Sequence, residues 1–379
     1  MSLVRHVDAI VLGGGTMGSA AAWELGKRGR SAIVLEQFGH VHDLGAHGGE
    51  TRVFRQVYAE SPDYVPLVRR ADELWMDLEA ESGQRILERC GGLEMSAPGH
   101  SHASAARVSA DEHGIPYEWI DAAEGRRRWP MIAFPDGWDV MFSPVSGFLR
   151  TAPALRSMMA GAVARGVELR QHEPVLDWGE DRGAAWVETA AGRYAADRLY
   201  ITAGPWVAKT LVRLGLPLHV RRKTLWWLGV RDPGRFDPAR FPVFISQFER
   251  TEVYGFPVID ASGLKVADHS GGAPCDPDTV DRTARNEEAG YIVEAARRLF
   301  PDVTGEIRKS AVCLYAMTPD THFIIDRMPG SDRVVIGGGF SGHGFKFAPA
   351  VGEALVDLGE RPGARPIPIL SIGRQALAG

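Results

Sequence analysis

Two arginines lie three residues apart in the glycine-bearing stretch from His47 to Arg55. The planar guanidinium group suits bidentate recognition of a carboxylate, so Arg52 and Arg55 could together hold an acidic ligand. A basic turn exposed to solvent would have the same composition. The stretch therefore indicates a carboxylate site only if residues of matching chemistry lie beside it.

A tyrosine, a lysine and a histidine follow later in the chain, at Tyr254, Lys265 and His269. Lys265 and His269 have strand-like neighbours and a spacing that puts their side chains on one face of a strand. A histidine could influence a proton transfer, and a lysine could stabilise developing negative charge. The alternative is an ordinary surface lysine and a histidine whose hydrogen bonds are satisfied internally.

Near the C-terminus, Cys313 and Tyr315 would share one face of a strand, and a glycine-rich loop at 337–346 ends in Lys346. A lone cysteine on a strand is more often a small buried residue than a reactive thiol. Taken one at a time, most of these residues would be assigned a structural role. Their order along the chain is what makes a functional site the better interpretation.

The chain begins with a glycine fingerprint, Gly13-Gly14-Gly15-Thr16-Met17-Gly18, between two apolar runs, the second of which ends in Glu36. Gly13 permits a tight turn, Gly15 lets the backbone approach a pyrophosphate, and Gly18 lets helix and strand pack closely. The pyrophosphate would bind at the helix N-terminus, and Glu36 would accept hydrogen bonds from ribose hydroxyl groups. This unit alone leaves NAD and FAD as alternatives. The second glycine-rich loop favours a flavin, because a simple nicotinamide fold does not need its last strand near the reacting ring.

The fingerprint lies in a predicted strand–helix–strand unit with strands at 9–12 and 32–35 and a helix that Gly29 closes. A second helix is predicted from Thr151, as a cap before a first-turn proline, to Gly166. Further predicted elements are strands near 175–176, 185–187 and 198–202, a strand-rich region from 225 to 266 and an amphipathic helix at 286–299. The pattern predicts an α/β (α+β) chain in which a Rossmann-like FAD-binding domain is interleaved with a mainly antiparallel β substrate domain.

Length and composition indicate a soluble protein of two domains. The 379 residues exceed what one core usually holds, and 45% hydrophobic with 24% charged residues is ordinary globular composition. The net charge of −5 argues against nucleic acid or an anionic membrane as a partner, and no apolar run approaches the about 20 residues that span a bilayer. Three scattered cysteines predict neither a disulfide framework nor a metal site. The N-terminus shows no signal peptide, so we expect a cytoplasmic protein.

Several longer motifs accompany the fingerprint, and they are Gly49-Glu50-Thr51-Arg52, Tyr254-Gly255-Phe256-Pro257, Gly263-Leu264-Lys265, Asp276-Pro277-Asp278-Thr279, Ala311-Val312-Cys313-Leu314-Tyr315, His322-Phe323-Ile324-Ile325-Asp326 and 339–347. In this order they resemble the monomeric sarcosine oxidase and N-methyltryptophan oxidase family of the D-amino-acid-oxidase superfamily. The resemblance covers nearly the whole chain and is closest toward the C-terminus. The C-terminal motif is far more specific than the fingerprint.

The resemblance implies how the chain would hold FAD. Cys313 matches the cysteine that joins the flavin 8α-methyl group through a thioether, which implies one covalent FAD per chain. Arg52 would lie over the flavin ring, and Lys265 would face the side of the ring that reacts with oxygen. Further cofactor contacts are implied at Gly13, Gly15, Thr16, Met17, Gly18, Glu36, Gln37, Thr51, Val175, Gly204, Trp206, Gly342, His343, Gly344, Phe345 and Lys346.

The resemblance also implies a substrate site. Arg55 and Lys346 match the pair that grips a substrate carboxylate. Tyr254, His269 and Tyr315 match residues that line the substrate cavity, and with Lys265 and Arg52 they form the predicted catalytic set. An amino-acid substrate would explain why two cations converge on one pocket.

Three departures leave the substrate's side chain open. Ile245 replaces a methionine that touches the substrate in sarcosine oxidases, and it is assigned to substrate binding here. The adjacent Trp226 and Trp227, predicted as strand core or pocket wall, replace smaller aliphatic residues. His47 and Gly48 stand where those oxidases carry two histidines. Ile245 and the tryptophans predict a more apolar cavity than sarcosine requires.

The FAD-binding domain is predicted at 1–82, 143–212 and 311–379, and the substrate domain at 83–142 and 213–310. The resemblance implies an FAD-dependent amine oxidase that demethylates an N-methyl amino acid with O₂, giving an amine, formaldehyde and H₂O₂. The alternatives are an oxidase of a bulkier or cyclic secondary amino acid, N-methyltryptophan-like or pipecolate-like, and a flavin-binding protein without turnover. We expect a monomer whose partners are a small amino acid and O₂.

Overall fold

The structure is a computed structural model that describes residues 5–181 and 183–378. Within these residues the helices are α1 (Thr16–Lys27), α2 (Val65–Ser82), α3 (His102–His113), α4 (Ala122–Arg128), α5 (Thr151–Ala164), α6 (Val207–Thr210), α7 (Gly290–Leu299) and α8 (Ala348–Glu360). The strands are β1 (Arg5–Leu12), β2 (Ala32–Leu35), β3 (Thr51–Phe54), β4 (Leu87–Glu88), β5 (Gly92–Ser96), β6 (Glu118–Ile120), β7 (Asp139–Ser143), β8 (Gly147–Arg150), β9 (Glu168–Arg170), β10 (Val175–Glu180), β11 (Ala185–Thr189), β12 (Gly192–Ile201), β13 (His219–Val230), β14 (Val243–Phe248), β15 (Thr251–Phe256), β16 (Leu264–Asp268), β17 (Ala273–Pro274), β18 (Val303–Met317), β19 (Ile324–Arg327) and β20 (Val334–Gly338).

The first sheet has a parallel centre in the order β20-β12-β1-β2-β9, extended by the antiparallel strands β10, β11 and β19. All four side chains of β2 are buried, as expected for a parallel strand that is covered on both faces. Helix α1 packs against α5 and α8. This arrangement brings the carboxyl ends of β1 and β2 to one edge, where doubly wound sheets bind their ligands.

The second sheet has the order β17-β13-β16-β15-β14-β5-β7-β6, with β18 paired along β13. Its pairs are antiparallel except for β14 with β5. One face carries an apolar core that includes Leu93, Phe244, Val253 and Val266. Because side chains alternate along a strand, the intervening residues point to the opposite face.

A short third sheet has the strand order β3-β8-β4, and both of its strand pairs are antiparallel. β3 contains Arg52, and the chain leaves β3 at Phe54, directly before Arg55. Arg52 therefore lies in a strand that pairs with β8, and Arg55 follows that strand directly, so neither arginine belongs to an exposed turn.

The predicted fold class is confirmed: a Rossmann-like sheet is combined with a mainly antiparallel one. Two local predictions were wrong in detail. Thr151 is the first residue of α5 rather than its cap, since Arg150 occupies the cap position. The helix predicted at 286–299 is a 3₁₀ turn at Asn286–Ala289 followed by α7.

The predicted division into domains stays a prediction, and its boundary at residue 311 falls inside β18. β18 pairs with β13 over most of its length, so its two ends are held by the same sheet. Of the helices in the described ranges, none is long and apolar enough to cross a membrane.

Candidate functional site

A cleft of about 460 Å³ runs along the carboxyl edge of the first sheet, at the end of β1 and the start of α1. Its lining comes from sequence-distant segments, which β1, β2, β10, β12 and β18 bring together. The predicted cofactor residues that line it are Gly13, Gly15, Thr16, Met17, Glu36, Gln37, Val175, Gly204, Trp206, Gly342, Gly344 and Phe345. A cleft at this edge lies where doubly wound sheets bind dinucleotides.

The carboxylate of Glu36 stabilises the fingerprint turn through a hydrogen bond. Glu36 accepts hydrogen bonds from Gly14 N, at 2.8 Å, and from Phe38 N, at 2.9 Å. Each carboxylate oxygen keeps a further acceptor position for a ribose hydroxyl group. Gly18 does not line the cleft, and a Cβ there would lie 1.8 Å from Gly13 O. Gly18 thus allows the helix to start tightly against the turn, and the first turn of α1 offers free N–H groups to a phosphate.

A buried histidine in the cleft wall has an unsatisfied nitrogen. Among the described residues, His47 Nε2 has no hydrogen-bond partner although it is buried. Burial, together with nearby His42, lowers the pKa of His47 to about 3, so the ring is neutral at physiological pH. His47 lines the cleft, and a neutral imidazole nitrogen without a partner is suited to hydrogen bonding with a polar group. The acid, the helix N-terminus and this orphaned atom together fit the requirements of FAD.

A second, smaller cavity of about 50 Å³ adjoins the cleft. Four residues, Arg52, Tyr315, Gly342 and Phe345, line both spaces. Gly342 is needed at this junction, because it has a φ of +84° and a Cβ would lie 2.2 Å from the Tyr315 ring. A cofactor in the cleft would therefore reach the wall of the smaller cavity, where a small substrate could meet it.

Two buried cations line the smaller cavity. Arg55 donates two hydrogen bonds to Glu60, at 2.7 and 2.8 Å, and one to Val57 O at 3.0 Å. Burial opposes the positive charge of Arg55, but Glu60 more than offsets this and holds the pKa above its usual value. Lys346 Nζ donates to His343 O at 2.8 Å, and burial together with Arg55 lowers the pKa of Lys346 to about 7. The cavity thus offers one fixed cation and one that titrates near neutrality.

Tyr254, His269, Tyr315 and Ile245 also line the smaller cavity, as expected for substrate contacts. Tyr315 Oη lies 3.4 Å from His269 Nδ1, and burial lowers the pKa of His269. A neutral histidine can accept a proton, and the buried tyrosine hydroxyl orients its ring. Ile245 pairs in register with Tyr254, so both side chains lie on one face of the sheet.

Arg52 connects the cleft to Cys313. Its Nη2 donates to Ala46 O, to Gly48 O and to Cys313 Sγ, at 2.9, 2.7 and 3.3 Å. Cys313 is 1% exposed and lines neither space, but Leu314, Tyr315 and Ala316 beside it line the cleft. The sulfur therefore lies directly behind the cleft wall.

Lys265 is buried behind the wall rather than in it. Its ammonium group donates to Gly49 O, Thr51 O and Thr51 Oγ1, and Arg52 donates to the same Thr51 carbonyl. Burial and the nearby Arg52 hold the pKa of Lys265 well below its usual value. Thr51, predicted as a cofactor contact, contacts Lys265 instead of lining the cleft.

Other predicted residues also lie elsewhere than expected. His343 and Lys346, assigned to the cofactor as well, line the smaller cavity and not the cleft. Trp226 and Trp227 line neither space, since they are fully buried on opposite faces of β13. The tryptophans are therefore core residues, which is one of the two placements predicted for them, and the prediction of a more apolar cavity rests on Ile245 alone.

Two carboxylates of the smaller cavity, those of Glu60 and Glu252, were not predicted from the sequence. Glu252 lies two residues before Tyr254 on β15, so strand alternation could have placed it on the same face. Glu60 follows Arg55 in an irregular segment, where no periodic signal indicates its direction. With these residues the cavity is polar and contains charges of both signs.

The chain is similar to several known proteins. Residues 8–358 match the family described as FAD dependent oxidoreductase. A monomeric sarcosine oxidase of Streptomyces avermitilis is 38% identical over 356 residues, 93% of each chain. An N-methyl-L-tryptophan oxidase of Yersinia pestis is 32% identical over 371 residues, 97% of this chain and 99% of that protein. The solved structure of NikD, an unusual amino acid oxidase, has a TM-score of 0.84 at 23% identity and covers 97% of this chain and 98% of its own.

The chain belongs to the family of FAD-dependent oxidoreductases, and the resemblance to monomeric sarcosine oxidase and N-methyltryptophan oxidase is confirmed. The high TM-score with NikD shows that the two proteins share the same fold. FAD is accordingly the cofactor for which the cleft is built.

Proposed function

We propose that this protein is an oxidase of N-methyl amino acids that converts its substrate, O₂ and water into the demethylated amine, formaldehyde and H₂O₂. The observation that supports the proposal most strongly is that the cleft and the smaller cavity adjoin each other. A dinucleotide cleft meets, through four shared wall residues, a small cavity that contains Arg55, Lys346 and His269. The sarcosine and N-methyl-L-tryptophan oxidases that the chain resembles support this substrate class.

Arg55 and Lys346 would bind and orient the substrate carboxylate. Arg55 is paired with Glu60 and cannot move far, while Lys346 is the cation without a carboxylate partner among the described residues that line the cavity. A carboxylate beside Lys346 would favour its protonated form, because an opposite charge stabilises a buried cation. The substrate would therefore bring the charge that completes the site.

His269 would accept the proton of the substrate amine, since burial keeps its ring neutral. FAD, when bound, supplies the capacity to take up hydride from the amine's carbon and to pass electrons to O₂. Lys265 would stabilise negative charge that develops on oxygen. Arg52 would act with it, since both side chains donate hydrogen bonds to the Thr51 carbonyl oxygen. The protein's contribution is thus to position the amine and to polarise the site.

We also propose that Cys313 attaches FAD covalently, one per chain. Cys313 Sγ accepts a hydrogen bond from Arg52, which lines the cleft, and Ala46, whose carbonyl oxygen is 3.4 Å from the sulfur, lines it too. Cys90 and Cys275 have no such position, and burial raises the pKa of Cys90 to about 12. A cytoplasmic monomer remains our proposal for the state of the protein.

Anaerobic mixing with sarcosine tests the function. We expect the yellow colour of the holoenzyme to bleach and H₂O₂ to form once air is admitted. A screen of N-methyl and cyclic secondary amino acids then ranks the substrates, because the departure at Ile245 keeps a bulkier or pipecolate-like substrate as an alternative. If no compound of either class bleaches the flavin, the protein binds FAD without this activity.

A further inference from the structure

One face of the second sheet carries charged residues beside the smaller cavity. Ile245 pairs in register with Glu94 on one side and with Tyr254 on the other, so all three point to the same face. Glu252 lies two residues from Tyr254 and pairs with Gln247, which puts it on that face as well. The carboxylates of Glu94 and Glu252 therefore lie on the same face of the sheet as Ile245 and Tyr254, which line the cavity.

Glu252 lines the cavity with its carboxylate unsatisfied. Across the described part of the chain, neither of its carboxylate oxygens accepts a hydrogen bond, and one cationic group, His102, lies within 4.0 Å. That contact joins His102 Nδ1 to Glu252 Oε1 at 3.9 Å, which is longer than a hydrogen bond. The side chain is 20% exposed, so most of it is removed from water.

His102 already forms a hydrogen bond with another carboxylate, that of Glu94. Its Nε2 lies 2.5 Å from Glu94 Oε2; His102 is the first residue of α3, Glu94 lies in β5, and both are buried. Burial disfavours a charged ring, but the hydrogen bond to Glu94 and the charge of Glu252 raise the pKa of His102. Even with His102 protonated, the three groups carry one negative charge more than positive. Of these three groups, Glu252 is the one that lines the cavity, so its carboxylate presents this negative charge to a ligand.

The charged groups that line the cavity thus differ in how they are paired. Arg55 and Lys346 would take the substrate carboxylate, and the carboxylate of Glu60 is bound to Arg55. No lysine or arginine of the described residues lies within 4.0 Å of the Glu252 carboxylate. A buried carboxylate is costly unless a cation or hydrogen-bond donors complete its environment.

We infer that Glu252 is a specificity-determining residue that receives a cationic group on the substrate's side chain. The preferred substrates are then N-methyl amino acids whose side chain ends in an ammonium or guanidinium group, which rests on the proposed function. A neutral side chain of the same length would leave Glu252 unpaired, and sites with unpaired polar groups discriminate strongly against such analogues. We expect at least about 30-fold preference for the cationic member of an isosteric pair, by analogy with truncated buried charge pairs.

The test compares the N-methyl derivatives of ornithine and norleucine, in which an ammonium group replaces a methyl group of the same chain. Stopped-flow reduction of the anaerobic holoenzyme gives kcat/KM for each, with the shorter diaminobutyrate and longer lysine derivatives as a length series. Glu252→Gln should reduce the preference to less than about threefold. Glu249→Gln is the matched control, because Glu249 lies in the turn between β14 and β15 and its side chain is 69% exposed. It should keep the wild-type preference.

Ligand binding gives a second measurement that does not depend on turnover. Ornithine should raise the Tm of the wild-type protein more than norleucine does, and Glu252→Gln should abolish this difference. Equal or better turnover of the norleucine derivative by wild type overturns the inference, as does a preference that survives in Glu252→Gln. If sarcosine bleaches the flavin but no preference exists, the proposed function stands and this inference alone fails. If none of the compounds bleaches it, both fail.

Discussion

Replacing Arg55 by methionine removes the fixed cation of the smaller cavity while keeping most of the side chain's volume. Arg55 is 3% exposed and donates three hydrogen bonds, two of them to Glu60. The variant therefore loses the proposed partner of the substrate carboxylate and leaves Glu60 without its cation. Both effects oppose the binding of an anion.

The expected loss follows from comparable buried pairs. Truncating one partner of a buried hydrogen-bonded charge pair costs about 2–5 kcal/mol of binding, which weakens the affinity about 30- to 4,000-fold. Part of this loss is repulsion by Glu60, so the double variant Arg55→Met/Glu60→Gln should recover about tenfold, a coupling within the range for contacting charges. Folding stability should also fall by about 3–5 kcal/mol in the single variant.

The assay compares sarcosine with dimethylamine, its decarboxylated counterpart, in anaerobic reduction of the flavin. Wild type should strongly prefer sarcosine, and Arg55→Met should bring the two compounds close together. Arg374→Met is a matched control, because Arg374 forms a similar ion pair with Asp320 but lines neither space. It should lower stability without changing the ratio. Equal turnover of both compounds by wild type would refute the assignment of Arg55 to the carboxylate.

Three further predictions follow from the site. Cys313→Ser should release FAD on acid denaturation, whereas wild type, Cys90→Ser and Cys275→Ser should retain a coloured pellet. Lys265→Met should slow reoxidation of the reduced enzyme by about 10²- to 10³-fold, as when one preorganised charge-stabilising donor is lost, while anaerobic reduction changes less than tenfold. Because the pKa of Lys346 is about 7 and a bound carboxylate raises it, the affinity for methoxyacetate, an isostere of sarcosine without an amine, should fall with rising pH above about 7. The slope should approach tenfold per pH unit and disappear in Lys346→Met.

Each of these predictions has a clear contrary result. A colourless wild-type pellet with free FAD in the supernatant would exclude covalent attachment through Cys313. Slower reduction with normal reoxidation would remove Lys265 from the oxygen side of the ring. Affinity for methoxyacetate that does not change between pH 6 and 9 would show that Lys346 does not bind the carboxylate.

The local sequence determined the parts of this protein in which interacting residues lie close along the chain. The fingerprint and Glu36 belong to one strand–helix–strand unit, so their contacts follow from spacing alone. Tyr315 was likewise placed from strand alternation, together with Cys313 two residues before it. The family followed from the order of the motifs, and with it the fold class.

The tertiary structure alone decided which side chains complete the smaller cavity and which lie behind its wall. Lys265 bonds to Gly49 and Thr51, more than two hundred positions earlier, and no local pattern encodes that contact. The sequence equally could not decide between strand core and pocket wall for Trp227, or show that His102 lies beside Glu252 of another element. Strand periodicity fixes only the face to which a side chain points. What lies opposite that face depends on how separate sheets pack, and burial there sets the charge that a residue can carry.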